Sequence, residues 1–126
     1  INGPPVMLVP QQVTAMGMIL QELVANSLKH GSLGAAAAHG GHVSLSWTCD
    51  KPDATDATTL RMKWQEAGGP QITLVGEPRV GSALIIGLAR TELRGTVDLA
   101  YPLTGALHTF ELQIDRPPEV ASQPPQ

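Results

Sequence analysis

Residues 21–33 read QELVANSLKHGSL and close a long amphipathic run. Apolar side chains at positions 13, 16, 20, 23, 24 and 28 make a helical stripe from Pro10 to about His30, and Gly31 supplies a stop. The other side of the helix carries a carboxylate, an amide, an ammonium and an imidazole. Glu22, Asn26, Lys29 and His30 fall within roughly a quarter to a third of the circumference at about 100° per residue. On this reading they stand as one ridge opposite a stripe centred on Leu20, Leu23 and Ser27.

Outward from this helix the chain is short. Its 126 residues, 42% of them apolar, suffice for one two-layer core, and no internal repeat divides them. A formal charge of −3 and eight dispersed Lys and Arg leave no basic stripe for phosphates along a duplex, which argues against nucleic-acid binding. A single Cys49 cannot close an internal disulfide and fits a reducing, cytoplasmic setting. No run approaches the roughly twenty apolar residues that span a bilayer, and no basic-then-apolar leader opens the chain. A start at Ile1 rather than Met is expected of a piece of a longer protein. Any membrane anchor would then belong to that parent.

Pro4, Pro5 and Pro10 bracket Val6–Val9, which suits a brief edge strand before the helix. Beyond the helix, GSLGAAAAHGGH at 31–42 sets glycines around a four-alanine run too short to nucleate a helix and reads as a mobile connector. HVSLSWTC alternates Val43, Leu45 and Trp47 against polar residues, and LRMKWQE places Leu60, Met62 and Trp64 inward and Arg61, Lys63 and Gln65 outward. The two predict a hairpin. A Gly- and Pro-rich segment leads to a second helix from Ser82 to about Leu93, with Leu84, Ile85, Leu88, Ala89 and Leu93 as its apolar face and Gly95 closing it. TVDLAYPL and ALHTFELQI, joined through Thr104–Gly105, predict a second hairpin. Residues 116–126 are too polar and proline-rich to pack and read as linker or tail, leaving 1–115 as the domain. The expected architecture is α+β: a two-layer α/β sandwich with a mostly antiparallel five-stranded sheet and its helices on one face.

Three separated motifs then line up: QELVANSLKHGSL, Trp64-Gln65-Glu66-Ala67-Gly68-Gly69-Pro70, and RVGSALI at 79–85. In that order they resemble the HWE group of sensor histidine kinases, whose patterns run close to HELxxNAxKYGAL, WxExGGP and, in the lid, GFGSRLI. The resemblance covers about Gly3 to Ile114. It implies the ATP-binding catalytic domain of that family, a Bergerat-type sandwich that holds Mg-ATP between helices and lid and donates the γ-phosphoryl group to a histidine on a separate dimerisation domain in two-component signalling. A response regulator follows indirectly, and neither nucleic acid nor membrane is contacted.

The resemblance also implies roles. Asn26 would coordinate Mg²⁺ at the phosphates, Lys29 would reach a phosphate, and Glu22 would assist the metal or orient an attacking group, the catalytic role. Glu66 would accept a hydrogen bond from the adenine amino group, and Gly68 would let backbone approach the ring. Gly81 and Ser82 would offer N–H groups and the helix dipole to phosphate, Ser82 serving equally as a cap. His30, where relatives carry Tyr, would stack on adenine or interact with the helix C-terminus. Arg79, where the pattern has Gly, either strains the lid or clasps the γ-phosphate. Gln21 replaces the pattern's His. None of His39, His42 and His108 lies on a long exposed helix, so the phosphoacceptor is expected elsewhere. Two other readings follow from these departures: a non-catalytic relative serving as scaffold or docking domain, and an ATPase using Glu22 to activate water.

Overall fold

The computed structural model describes residues 1–34, 41–50, 58–69, 82–102 and 104–114. The elements run α1 (Pro10–His30), β1 (His42–Asp50), β2 (Thr58–Ala67), α2 (Ser82–Thr91), β3 (Thr96–Ala100) and β4 (Leu107–Ile114). Helix α1 starts where proline fits best. Pro10 occupies the first turn, where a missing N–H costs nothing, and the Val9 carbonyl accepts from the Gln12 and Val13 amides.

The four strands form one antiparallel sheet in the order β1-β2-β4-β3, so both expected hairpins are present and β2 and β4 are central. Alternation along β2 buries Leu60, Met62 and Trp64, and β4 matches it with Phe110, Leu112 and Ile114 on the same face. Against this face pack Ala15, Met16, Ile19 and Leu23 of α1 and Ile85 and Ala89 of α2, with Leu93 just past its end. Arg61, Lys63 and Gln65 face outward, as their spacing predicts.

Two expectations need correction. The sheet has four strands among the described residues, not five: Val6–Val9 forms no strand, and the N-terminal segment instead makes a single parallel bridge from Asn2 to Ser46. Prolines at 4, 5 and 10 remove the donors a ladder needs, so Val6 and Leu8 serve as packing against the core rather than as rungs.

The second correction concerns which side of α1 faces inward. Its buried face comprises Gln12, Ala15, Met16, Ile19, Leu23, Asn26 and Ser27, whereas Val13 and Leu28 are 54% and 55% exposed. Polar side chains enter the interior because partners await them. Gln12 Nε2 donates to the Gln113 carbonyl at 2.9 Å, and Ser27 donates to a carboxylate on β2. Apolar periodicity is blind to such pairs. The consequence is that the Glu22–Asn26–Lys29 ridge does not lie opposite the buried stripe but along its flank, with Asn26 inside it.

The same hydrogen bonds orient α1. Gln12 near its start meets β4 at the Ile114 end, and Ser27 near its close meets β2 at the Ala67 end. The Gln113 amide also donates to the Leu93 carbonyl, so the close of α2 sits at the Ile114 end of the sheet.

Candidate functional site

The period-two pattern of β2 continues one step past Trp64. Glu66 therefore lands on the core face, 7% exposed, at the end of a central strand, and not in the exposed turn that a glycine-flanked Glu would ordinarily occupy. An ionised carboxylate at such a site requires donors. Glu66 has four, all neutral. Its Oε1 accepts from Ser27 Oγ at 3.0 Å, the Ser32 amide at 2.9 Å and Ser32 Oγ at 3.3 Å, while Oε2 accepts from the Trp64 indole Nε1 at 3.0 Å. Ser27 Oγ in turn accepts from the Leu33 amide at 3.2 Å. The end of α1, the turn after it and the end of β2 are thus tied through one carboxylate.

Gly31 earns its place here by size. Its backbone is extended, at φ −124°, so no left-handed cap requires glycine; a Cβ would instead collide with the Glu66 carboxylate and the Ser27 backbone. Gly105, at φ 138°, lies as closely over the Glu66 carbonyl, and its neighbour Ala106 accepts the Glu66 amide hydrogen bond.

Asn26 immediately precedes Ser27 and is 9% exposed, so the Ser27–Glu66 bond brings the predicted metal-side amide and the predicted base-side carboxylate to one end of the sandwich. Glu22, half-buried, and Lys29, exposed, stand about a turn before and after Asn26 on its flank of α1. Gly68 follows at φ 76°, turning the chain away from β2 just after Glu66. Ser82, buried, opens α2. The readings of Arg79, Gly81 and the His30 side chain lie outside the described residues.

Sequence reasoning missed Ser27, Ser32 and the Trp64 indole as partners of Glu66. A signal was present: positions 27 and 32 are serines where HELxxNAxKYGAL has alanine, and Trp64 shares the inward register of Glu66.

The charged groups on the far face do not belong to this site. A groove of about 840 Å³ runs there, lined by residues that include Ser46, Trp47, Arg61, Lys63, Asp98 and Glu111, and Arg61 pairs with both Asp50 and Glu111. It is the open, polar side of the sheet, remote from Glu66 because side chains alternate. Cys49, exposed on β1, has its thiol pKa raised, by loss of solvent and then by the charge of Asp50. Among the described residues no group of three or more His, Cys, Asp and Glu side chains is arranged to hold a metal ion, and no helix is long and apolar enough to cross a membrane.

Comparison with known proteins bears on this arrangement. The chain is 32% identical over 119 residues to blue-light-activated histidine kinase 1 of Erythrobacter litoralis, a match that covers 92% of this chain and 30% of the relative. A blue-light-activated histidine kinase of Rhizobium johnstonii is 27% identical over 111 residues, covering 88% of this chain and 30% of its own length. Among solved structures, the histidine kinase domain of the Erythrobacter litoralis EL346 blue-light-activated kinase superposes with a TM-score of 0.61 at 16% identity, over 88% of this chain and 49% of that one.

The chain is related to the blue-light-activated histidine kinases, and its fold is that of histidine kinase catalytic domains.

The isolated catalytic domain of the histidine kinase ThkA gives the same fold, with a TM-score of 0.59 at 17% identity over 94% of this chain and 77% of that domain. No family model matches the chain. This kinase-like domain spans about a third of the length of the curated relatives it matches. Its α+β sandwich is the architecture that the HWE resemblance implies, with four strands among the described residues where five were expected.

Proposed function

We propose that this domain binds Mg-ATP at the end of the sandwich where α1 closes, and donates the γ-phosphoryl group to a histidine of a separate dimerisation domain in two-component signalling. One observation carries the reading: the Ser27–Glu66 hydrogen bond puts Asn26, the residue before Ser27, at the same end of the sandwich as Glu66, beside the flank that bears Glu22 and Lys29. The relatives that bear the name histidine kinase support it.

The donor set suits magnesium. The amide oxygen of Asn26 and the carboxylate of Glu22, about one turn apart on a single helix, offer hard oxygen ligands of the number Mg²⁺ takes from protein when phosphates and water fill the rest. When bound, the ion would neutralise charge on the phosphates. The protein's own part is positioning. Lys29 on the exposed side brings a point charge toward the phosphates of an otherwise acidic domain. Glu66 accepts the adenine amino hydrogen, Gly68 admits the ring, and Ser82 with the N–H groups of the first turn of α2 faces anionic oxygen.

Thermal stability tests this. Mg²⁺ with ATP or a nonhydrolysable analogue, each at millimolar concentration, should raise the melting temperature, because a ligand of the native state alone stabilises by mass action. The rise should vanish in Asn26→Ala. No rise in the unaltered protein would replace this reading with that of a scaffold. Acid-labile phosphate on the parent's dimerisation domain would then separate a kinase from an ATPase.

A further inference from the structure

The way Glu66 is held specifies more than its place. A carboxylate oxygen accepts at about two positions. Oε1 receives three donors, from Ser27 and from the amide and hydroxyl of Ser32, whereas Oε2 receives only the Trp64 indole. Oε1 is therefore saturated, and one acceptor position on Oε2 remains. Gly31 packs against Oε1 so closely that even a methyl group has no room there, which closes that side of the carboxylate to any ligand. Ser27 and Ser32 are 0% and 2% exposed, and both hydroxyls stand where the HWE pattern carries alanine, so this chain adds donors to its carboxylate at two positions together.

We infer that Ser27, Ser32 and Trp64 are positioning residues that determine base specificity: by filling three-quarters of the Glu66 carboxylate they leave a single acceptor, which selects a purine with an amino group at its six position. A purine with a carbonyl there sets one acceptor oxygen against another. Such a site rejects the wrong partner strongly, since the mismatch leaves a buried polar group unpaired. The inference rests on the proposal that Glu66 reads adenine, and the experiment separates the two.

Competition binding in the presence of Mg²⁺ compares ATP with inosine triphosphate and with purine riboside triphosphate, which lacks the amino group, on the full-length protein that contains this chain. The ratio of affinities is read on one sample, so a loss of folded protein cancels. The unaltered protein should prefer ATP, and Glu66→Gln should abolish the preference. Ser27→Ala/Ser32→Ala and, independently, Trp64→Phe should each lower the ratio by about tenfold, as expected when a freed carboxylate can reorient; Ser32→Thr, which keeps the hydroxyl, should retain it. If the unaltered protein shows no preference, the reading of Glu66 fails and the inference with it. If Glu66→Gln abolishes the preference while the serine and Trp64→Phe variants keep it within about twofold, the reading of Glu66 stands and the inference is overturned.

Discussion

Glu66→Gln is the sharpest probe of how this fold is tied together. The amide is nearly isosteric with the carboxylate but carries one acceptor and one donor end. Three donors converge on Oε1 and one on Oε2, so the amide oxygen will settle where the three converge, and its NH₂ will face the Trp64 Nε1–H. Two donors then oppose each other in the interior. The cost of a buried donor left unsatisfied is about 1–3 kcal/mol, and the three remaining bonds lose their charge assistance. A total near 3 kcal/mol is expected at this 7%-exposed site. Urea denaturation followed by tryptophan fluorescence measures it. The diagnostic step is a double-mutant cycle with Trp64→Phe, which removes the opposing N–H. The pair should cost less than the sum of the single variants, by about 1–2 kcal/mol. Strict additivity, or a Glu66→Gln variant within about 0.5 kcal/mol of the parent, would refute the four-donor arrangement.

Two glycines of α1 and its close should respond oppositely to alanine: Gly17→Ala, in the middle of α1 with nothing within 4 Å of the added methyl, should stabilise by about 0.5–1 kcal/mol, whereas Gly31→Ala should destabilise by more than that through collision with Glu66, both read by urea denaturation. Cys49 is exposed but its pKa is raised by desolvation and then by Asp50, so less of it is thiolate at neutral pH. Iodoacetamide should therefore modify it more slowly than a free cysteine at pH 7.5, faster as pH rises, and faster again in Asp50→Asn. Leu112, fully buried on β4, should cost about 2–5 kcal/mol as alanine by thermal or urea unfolding.

Most of the fold was legible because its signals are periodic. The alternation of Leu60, Met62 and Trp64 and the Pro10 start of α1 name a surface and a boundary without reference to the rest of the chain. What failed was non-local. The inward side of α1 depends on Gln12 meeting the Gln113 carbonyl and Ser27 meeting Glu66, partners about a hundred and about forty residues away in sequence, which no count of apolar positions registers. Val6–Val9 looked apolar enough to pair, but its flanking prolines left it as packing. Asn26, Lys29 and Glu66 are candidates by resemblance alone, whereas the sequence offers Ser27 only as part of the α1 stripe and Ser32 only as part of the connector after it. Their part emerges only when two elements meet.

The single parallel bridge at Asn2 has a bearing on solubility. β1 is an outer strand, and outer strands expose unpaired amides and carbonyls that recruit other chains into intermolecular sheets. Asn2 donates its amide to the Leu45 carbonyl and accepts from the Trp47 amide, while the Trp47 indole donates to the Pro4 carbonyl at 2.6 Å. Two of the rungs that a second molecule would seek are thereby taken, and the prolines that follow offer no N–H to extend the ladder outward. The segment thus guards the middle of the rim, at Leu45 and Trp47, of a nine-residue strand that borders the sheet.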